Sequence, residues 1–257
     1  MTMRKTIAAI ALLLGTGASL PVLAQAVVVR STGPSAAQYP PGKRLPSGTA
    51  VALRGGDVVT VLDRVGTRVL KGAGNFTIET QITRTSATAA LLARSLSMPQ
   101  AVRAGAVRGE GGTLPSDAPV PVSVWLADID KAGAGGARVC LPRGSDLYLW
   151  RGNTQARRFI WLGEADGGGT VRVAMPMGTA GVAWPKAMLG LAEGHHYRMT
   201  DEADQTKSVE FELVMLDPEA VPADAASLGT LLLDNGCKAQ FDALVDAVER
   251  IDGTAGG

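Results

Sequence analysis

The stretch from Thr49 to Ile82, TAVALRGGDVVTVLDRVGTRVLKGAGNFTIETQI, decides which fold the sequence predicts. It contains four short apolar runs separated by glycine-rich turns, and glycine supplies the positive φ that tight hairpins require. In the last run Phe76, Ile78 and Ile82 alternate with polar residues, and a period of two is typical of a half-buried strand. The stretch therefore predicts an antiparallel β-meander with one solvated face.

This part of the chain resembles a known domain family. The pattern Leu53-x-x-Gly-Asp57-Val-Val-Thr60 is followed by a glycine turn and a second hairpin that ends in Asn75-Phe76-Thr77-Ile78. Through these residues, the segment from about Val27 to Ile82 resembles the periplasmic FecR-type domain. The resemblance implies an all-β domain and a role in envelope sensing and anti-sigma signalling.

The whole chain is also similar to uncharacterised exported proteins of Gram-negative bacteria. The similar motifs are Gly33-Pro34, Tyr39-Pro40-Pro41-Gly42, Gly105-Ala-Val-Arg-Gly109 and Gly236-Cys237. The resemblance implies an exported protein and does not specify an activity.

The first 26 residues have the three parts of a secretory signal peptide. Arg4 and Lys5 form a charged region, Ile7 to Leu14 is apolar, and Ala24-Gln25-Ala26 is a small-x-small cleavage pattern. The apolar core is shorter than the ~20 residues of a membrane-spanning helix. We therefore expect cleavage after Ala26, a periplasmic or secreted mature protein, and no integral membrane segment once the signal is removed.

The distribution of charge leaves two interpretations open. The chain has 25 basic and 24 acidic residues, and nothing in it indicates nucleic acid as a partner. Residues 27–115 hold 11 Lys/Arg against 4 Asp/Glu, whereas residues 116–257 hold 12 against 20. In the first interpretation the charged residues only lie on solvated faces. In the second, the two halves dock on each other electrostatically, or the basic half binds an acidic partner or anionic lipid.

Segments rich in glycine and proline predict where the domains begin and end. Residues 27–108 form a small β domain with one short helix, Ser86–Met98, and residues 109–121 are a linker. A domain of many short strands, a β-sandwich for which an immunoglobulin-like form fits the length, covers residues 122–216. Residues 217–252 form a C-terminal helical pair, and residues 253–257 form a disordered tail.

The elements of the second part follow from alternation and helical spacing. The predicted strands are Val122–Ala127, Ala137–Leu141, Asp146–Arg151, Arg158–Gly163, Thr170–Met175, Gly181–Trp184, His195–Thr200 and Lys207–Met215. The predicted helices are Ala223–Asp234 and Cys237–Ile251, the second with an apolar stripe of Phe241, Leu244, Val245, Val248 and Ile251.

Few residues have the spacing of a reactive centre. Cys140 and Cys237 are the two cysteines, and an even count in an oxidising compartment favours a disulfide over two buried thiols. His195 and His196 are adjacent, so regular strand geometry points them to opposite faces.

Asp128 and Asp130 could form a catalytic or calcium pair, but a solvated strand end fits their spacing better. Gly167-Gly168-Gly169 is predicted to be a turn. We predict no catalytic residue, cofactor or metal.

The aromatic residues suggest a binding surface. All four tryptophans, Trp125, Trp150, Trp161 and Trp184, lie in the second part. In Leu147-Tyr148-Leu149-Trp150 the aromatics share one face, which is either an exposed interaction patch or the contact surface for the terminal helices. We expect a non-enzymatic protein acting in protein–protein interaction or envelope sensing, with an envelope protein as partner. The alternatives are a polysaccharide- or peptidoglycan-binding module that uses exposed aromatics, and a hydrolase without a recognisable motif.

Overall fold

The computed structural model describes residues 26–64, 66–78, 123–131 and 137–254. Within these ranges the chain is mainly β with two C-terminal helices, which confirms the predicted fold class. The strands are β1 Ala26–Thr32, β2 Arg44–Leu45, β3 Ala50–Leu53, β4 Val58–Asp63, β5 Thr67–Lys71, β6 Gly74–Thr77, β7 Leu126–Asp128, β8 Ala137–Pro142, β9 Tyr148–Trp150, β10 Arg158–Glu164, β11 Val171–Met175, β12 Gly181–Ala183, β13 His196–Asp201 and β14 Ser208–Leu216. The helices are α1 Ala225–Asp234 and α2 Lys238–Thr254.

Several predicted segments lie outside the described residues. These are the signal segment before Ala26, the end of the meander beyond Ile78, the helix Ser86–Met98 and the linker 109–121. At the other end, α2 continues to Thr254, so its last two residues fall in the segment that was predicted to be a disordered tail.

The N-terminal strands form two sheets rather than a simple meander. Strand β1 lies between β2 and β4, β5 pairs with β4 as a hairpin, and β3 pairs with β6 in a separate two-stranded sheet. The buried carboxylate of Asp57 accepts hydrogen bonds from the backbone N–H groups of Arg54 at 2.6 Å and Ser35 at 2.8 Å. These bonds tie the turn after β3 to the loop after β1, so β4 runs beside β1 and away from β3.

Strand β4 is buried on both faces, so the prediction of one solvated face is wrong for this strand. Val59 and Val61 belong to a small apolar core with Val28 of β1 and Val51 of β3. Leu62 points the other way and packs in the core that contains the C-terminal helices. The helices occupy the face that the sequence assigns to solvent.

The second part is a sandwich of a five-stranded and a three-stranded sheet. The strand orders are β11-β10-β13-β14-β8 and β12-β9-β7, and all eight predicted strands are present. Inward-facing residues alternate along the strands, as Ile160 and Leu162 of β10 and Tyr197 and Met199 of β13 show. The pairs β8–β14 and β7–β9 are parallel, whereas the other pairs are antiparallel.

Tyr197 anchors the crossover from β12 to β13. Its hydroxyl donates to the carbonyl of Gly190 and accepts from the N–H of Ala192, both at 2.9 Å. The buried ring of Trp184 meets it edge-on at 5.3 Å between centroids. A tyrosine in this position is a feature of immunoglobulin-like sandwiches, although the two parallel pairs depart from the antiparallel sheets of that architecture.

The helical pair packs against both β parts. The Asp224 carboxylate caps the start of α1 by accepting from the N–H of Ser227 at 2.9 Å. Gly236, with φ +76°, follows the C-cap of α1 and turns the chain toward α2. Gly229 lets α1 approach closely, because a Cβ there would lie 3.2 Å from Leu62 of β4 and 3.0 Å from Phe241 of α2. The predicted stripe of α2 is buried at Phe241, Leu244, Val245 and Val248.

Helix α2 closes the edge of the five-stranded sheet at β8. The fully buried side-chain amide of Gln240 accepts from the N–H of Cys140 at 2.6 Å and donates to its carbonyl at 2.8 Å and to that of Val124 at 2.9 Å. One turn earlier, Cys237 forms a disulfide with Cys140, with the two Cα atoms 5.8 Å apart. Cys140 is therefore held by the disulfide to Cys237 and by the side-chain amide of Gln240. The amide makes the hydrogen bonds that a further strand would make at this edge.

Ion pairs add a polar rim to this packing. Arg30 of β1 meets Glu249 of α2 at 3.0 Å between Nη2 and Oε2, and Arg44 of β2 pairs with Asp234 of α1. Arginines of the basic half thus contact carboxylates of the acidic half. Because these side chains are partly solvated, each pair contributes at most ~1 kcal/mol, and the apolar contacts dominate the docking.

The substitution Gln240→Leu should destabilise the fold by about 2–4 kcal/mol, because the N–H and C=O of Cys140 lose buried partners that leucine cannot replace. Urea unfolding with the disulfide intact measures the change. Gln155→Leu, at an exposed loop position, is the matched control and should change stability by less than ~0.5 kcal/mol. Equal stability of the Gln240 variant and the unmodified protein would contradict the edge-closing role.

Candidate interaction surface

Tyr148 and Trp150 do not form an exposed patch. Their side chains are only 7% and 8% exposed and pack with Leu126 and with Ala243 of α2. Leu147 and Leu149 face the sandwich core, so the aromatics point to the opposite side of β9. This face of β9 contacts the terminal helix α2, as one of the two predicted alternatives had it. The prediction of an exposed interaction patch at Tyr148 and Trp150 is wrong.

The histidines do not converge on a common centre. His195 is half exposed, with Nδ1 3.6 Å from a carboxylate oxygen of Glu164, and its ring stacks 6.4 Å from that of Tyr197. His196 begins β13 and is exposed. Across the part of the chain that the structure describes, no three His, Cys, Asp or Glu side chains come close enough to hold a metal ion.

Asp128 and Asp130 have separate structural roles. The buried Asp128 carboxylate accepts from the N–H groups of Asp130 at 2.9 Å and Lys131 at 3.2 Å, which forms a turn after β7. Burial raises the pKa of Asp128, and these hydrogen bonds oppose the shift. The carboxylate of Asp130 instead pairs with Arg158, which also contacts Asp201 at 2.7 Å. A shared calcium or catalytic pair is therefore not formed.

Arg151 is the largest fully buried charged side chain among the described residues, and it is structural. Its guanidinium donates to four backbone carbonyls, at 2.6 to 3.3 Å, in the loops that follow β9 and β11. The acceptors are Ala156, Met175, Pro176 and Thr179. Burial lowers the pKa of Arg151, and the positive charge of Arg158 adds to this effect. Four of its five N–H groups donate to backbone carbonyls inside the protein, so the guanidinium holds these loops together.

The outer face of the five-stranded sheet carries a group of organised aromatic and charged residues. We call Phe159, Trp161, Arg172 and Glu202 the sheet-face cluster. In β10, Ile160 and Leu162 are buried in the core, so Phe159 and Trp161 point outward, and both are half-buried. Arg172 of β11 lies directly opposite Trp161 in the strand register.

Glu202 holds the cluster together. Both of its carboxylate oxygens accept from the guanidinium of Arg172, each at 2.7 Å. The Arg172 guanidinium lies 3.7 Å from the centre of the Phe159 ring, which is a cation–π contact. Arg172, Glu202 and Phe159 thus hold one another in place before any partner binds, and Trp161 lies opposite Arg172 in the strand register.

The charges in the cluster stabilise each other. The hydrogen bonds from Arg172 lower the pKa of Glu202, against a rise caused by burial. The same hydrogen bonds to Glu202 raise the pKa of Arg172. The pair therefore remains ionised at neutral pH.

Trp161 differs from the other three tryptophans. Trp125, Trp150 and Trp184 are 3% to 8% exposed, whereas Trp161 is partly open to solvent. The predicted patch consisted of Tyr148 and Trp150, although the alternation in RFIWLGE, residues 158–164, already places Phe159 and Trp161 on one face. The contribution of Glu202, which follows β13, could not be recognised without the strand register.

Comparisons with known proteins leave the family open. No protein-family model matches the chain, and no curated protein matches it. The FecR-type resemblance thus stays a prediction. Among the described helices, none is long and apolar enough to cross a membrane.

Iodide should quench one class of tryptophan, and the substitution Trp161→Phe should remove that class while leaving the rest of the emission protected. The reason is that the other three indoles are buried. Stern–Volmer titration of the native protein and the variant measures the accessible fraction. An unchanged accessible fraction in the variant would show that Trp161 is not the open tryptophan.

The carboxyl group of Glu202 should titrate below its ordinary pKa of about 4.5, and Arg172→Ala should move the midpoint back toward that value. Because the folded-state pKa is lowered, the pair stabilises the protein above pH 4.5 and loses that contribution as pH falls through the lowered pKa. NMR of the Glu202 side-chain carboxyl carbon follows the midpoint. Arg198→Ala, on the same sheet face, is the control and should leave it unchanged.

Proposed function

We propose that this chain is an exported, non-enzymatic protein that acts by protein–protein interaction in the cell envelope, in a sensing role of the kind that the FecR-type resemblance implies. The observation that carries the proposal is the sheet-face cluster. Its residue types, tryptophan and arginine, are those that supply a large share of binding energy at protein interfaces.

The organisation of the cluster supports a binding role. Side chains that are already fixed lose little conformational entropy on binding, so more of the contact energy appears as affinity. Arg172 is held by a bidentate bond to Glu202 and by its contact with Phe159, while Trp161 presents an apolar surface beside them. This arrangement, on the open face of the five-stranded sheet where β10, β11 and β13 pair antiparallel, suits a flat protein surface.

The non-enzymatic part of the proposal rests on the partners of the acids and bases. The Asp130 carboxylate is paired with Arg158, Asp128 accepts two backbone hydrogen bonds, and both cysteines are in a disulfide. A catalytic acid or nucleophile needs a group that is free to exchange a proton or attack a substrate. These groups are engaged in holding turns, loops and a helix.

A second candidate function is carbohydrate binding, which Trp161 favours. Sugars stack on partly exposed indoles, and Thr200, opposite Trp161 on β13, offers a hydroxyl close by that already contacts Ser208 at 3.1 Å. Tyr148 and Trp150, which the sequence suggested for this role, are buried and cannot take part. The ligand would be an envelope polysaccharide such as peptidoglycan.

The two candidates separate in a capture experiment with immobilised protein. We expect Trp161→Ala to weaken capture of a specific envelope protein by about 30-fold in Kd, the loss of ~2 kcal/mol typical of a central interface residue. Arg198→Ala, an exposed arginine paired with Glu210 on the same face, is the matched control and should change capture by less than ~3-fold.

The same variants are then tested on purified peptidoglycan. Retention of the unmodified protein that disappears in Trp161→Ala would favour the carbohydrate function over the protein–protein function. If Trp161→Ala binds both the envelope protein and peptidoglycan as well as the unmodified protein does, the sheet-face cluster is not the binding surface.

A further inference from the structure

The two edges of the five-stranded sheet end differently. At β8 the side-chain amide of Gln240 bonds to both backbone groups of Cys140. At the opposite edge, β11 pairs with β10 alone among the described strands. Its sequence, VRVAM, contains no proline or lysine, and its register with β10 runs without a bulge. Proline, lysine and bulges are the usual protection of an edge strand, so β11 is open to pairing with another strand.

The backbone of β11 alternates between groups that bond to β10 and groups that point away from the sheet. The N–H of Glu202 donates to the carbonyl of Phe159 at 3.0 Å, so the backbone groups of Phe159 face β13. The next residue of β10 therefore faces β11, where it pairs with Val173. On either side of Val173, Arg172 and Ala174 direct their N–H and C=O groups outward. Both residues are exposed, and no described residue bonds to these backbone groups.

We propose that β11 pairs antiparallel with β11 of a second copy of this chain. The twofold axis passes between the two Val173 residues, which lie directly opposite each other. Arg172 of each copy then faces Ala174 of the other, and each such pair exchanges two N–H···O=C bonds. All the outward backbone groups of these residues are thereby satisfied, and the two five-stranded sheets become one continuous sheet.

Other registers of this pairing are less favourable. A pairing centred on Arg172 would place the two arginines directly opposite each other, and like charges in that position destabilise a sheet. A pairing centred on Ala174 would place Arg172 opposite Pro176, which has no N–H to donate. In the proposed register the two Val173 side chains form a β-branched cross-strand pair, and each arginine lies beside a small alanine. The edge is therefore complementary to itself in one register, which assigns it to a second copy.

The side chains at this edge permit the contact. The charge of Arg172 is paired within its own chain with Glu202, so two copies repel each other little. Val173 is half-buried at the margin of the core, and the second copy would cover it. A single strand pair buries less than the ~1,200 Å² of a stable complex, so we expect a reversible dimer that dissociates on dilution.

The dimer would place two sheet-face clusters on one surface. Residues that pair across an antiparallel ladder share a face, so the outer faces of the two copies would continue each other. The two β10 strands would lie three strand spacings apart, about 14 Å, each with its own Phe159 and Trp161. A partner that presents two sites would bind such a surface more tightly than a single copy. This consequence rests on the proposed function, whereas the dimer itself does not.

Sedimentation equilibrium of the purified protein over a series of concentrations tests the dimer. We expect a monomer–dimer equilibrium that Ala174→Pro weakens by about 10-fold or more, because each copy loses a hydrogen bond across the contact. Since β10 does not use the N–H of Ala174, proline at this edge position leaves the sheet itself paired. Ala174→Ser keeps both the N–H and a small side chain, so this matched control should associate like the unmodified protein. A protein that stays monomeric throughout, or a dimer that Ala174→Pro leaves unchanged, would overturn the inference and leave the proposed function untouched.

Cross-linking through introduced cysteines is a second test, which does not depend on the stability of the proline variant. Directly opposite Cα atoms of a non-hydrogen-bonded pair lie about 4.5 Å apart, so Val173→Cys should form a disulfide between copies on air oxidation. In Ala174→Cys the two introduced cysteines would lie about 8 Å apart, beyond the reach of a disulfide, so this variant should remain largely monomeric on non-reducing gels. Equal cross-linking of the two variants, or no cross-linking of Val173→Cys, would refute the proposed pairing.

Discussion

The closure of the β8 edge by helix α2 is the constraint on which the rest of the structure depends. A sheet edge exposes backbone N–H and C=O groups that must find partners or remain in water. At Cys140 both groups bond to the side-chain amide of Gln240, inside the protein, while the sulfur is joined to Cys237. With residues 237 and 240 fixed, the axis and rotation of α2 are set. The apolar stripe of the helix then packs in the core that it shares with β8, β4 and α1.

The position of α2 in turn joins the two β parts. Helix α1 lies against α2 through Phe241 and against β4 through Leu62, and a glycine at position 229 gives it the necessary clearance. The helical pair therefore packs on both β parts. Its apolar residues belong to one core cluster that contains residues of the sandwich and also Val27 of β1 and Leu62 of β4. Full burial of one such leucine stabilises the fold by ~1.5–3 kcal/mol, more than an exposed ion pair at the rim supplies. Ion pairs such as Arg30–Glu249 lie at the rim of the contact, and apolar packing stabilises it.

The sequence predicted the elements far better than their pairing. Alternation identified every strand of the second part, and the stripe of Phe241, Leu244, Val245 and Val248 identified α2, because these signals are local. Which strands become neighbours depends on contacts that are distant in sequence. Asp57 draws β4 beside β1, and the parallel pairing of β8 with β14 brings together residues about 70 positions apart. The predicted cysteine pair and Gln240, a polar residue beside the apolar stripe, were the sequence clues to the edge closure.

The candidate site shows the same limit. Alternation places Phe159 and Trp161 on one side of β10, but only the register of three strands shows that Arg172 and Glu202 complete the group. Tyr148 and Trp150 gave an equally strong pattern, and they are buried because the helices cover that side of β9. The burial of a strand face is decided by what packs on it, and a strand with two apolar-looking faces gives no local indication of which one a helix will cover.

The charges on the outer sheet face determine what kind of partner it suits. Arg172, Arg198 and Arg138 are each paired with a glutamate, at 2.6 to 2.9 Å, so the rows of charge along the face cancel locally. A face neutralised in this way gives little long-range steering toward anionic or cationic ligands. Recognition must then come from short-range contact, with Trp161 and the ring of Phe159 supplying apolar area and the paired arginines supplying fixed donors. Since the helices cover the β8 end of this face at Cys140, the area around β10, β11 and β13 is where a partner would make such contact.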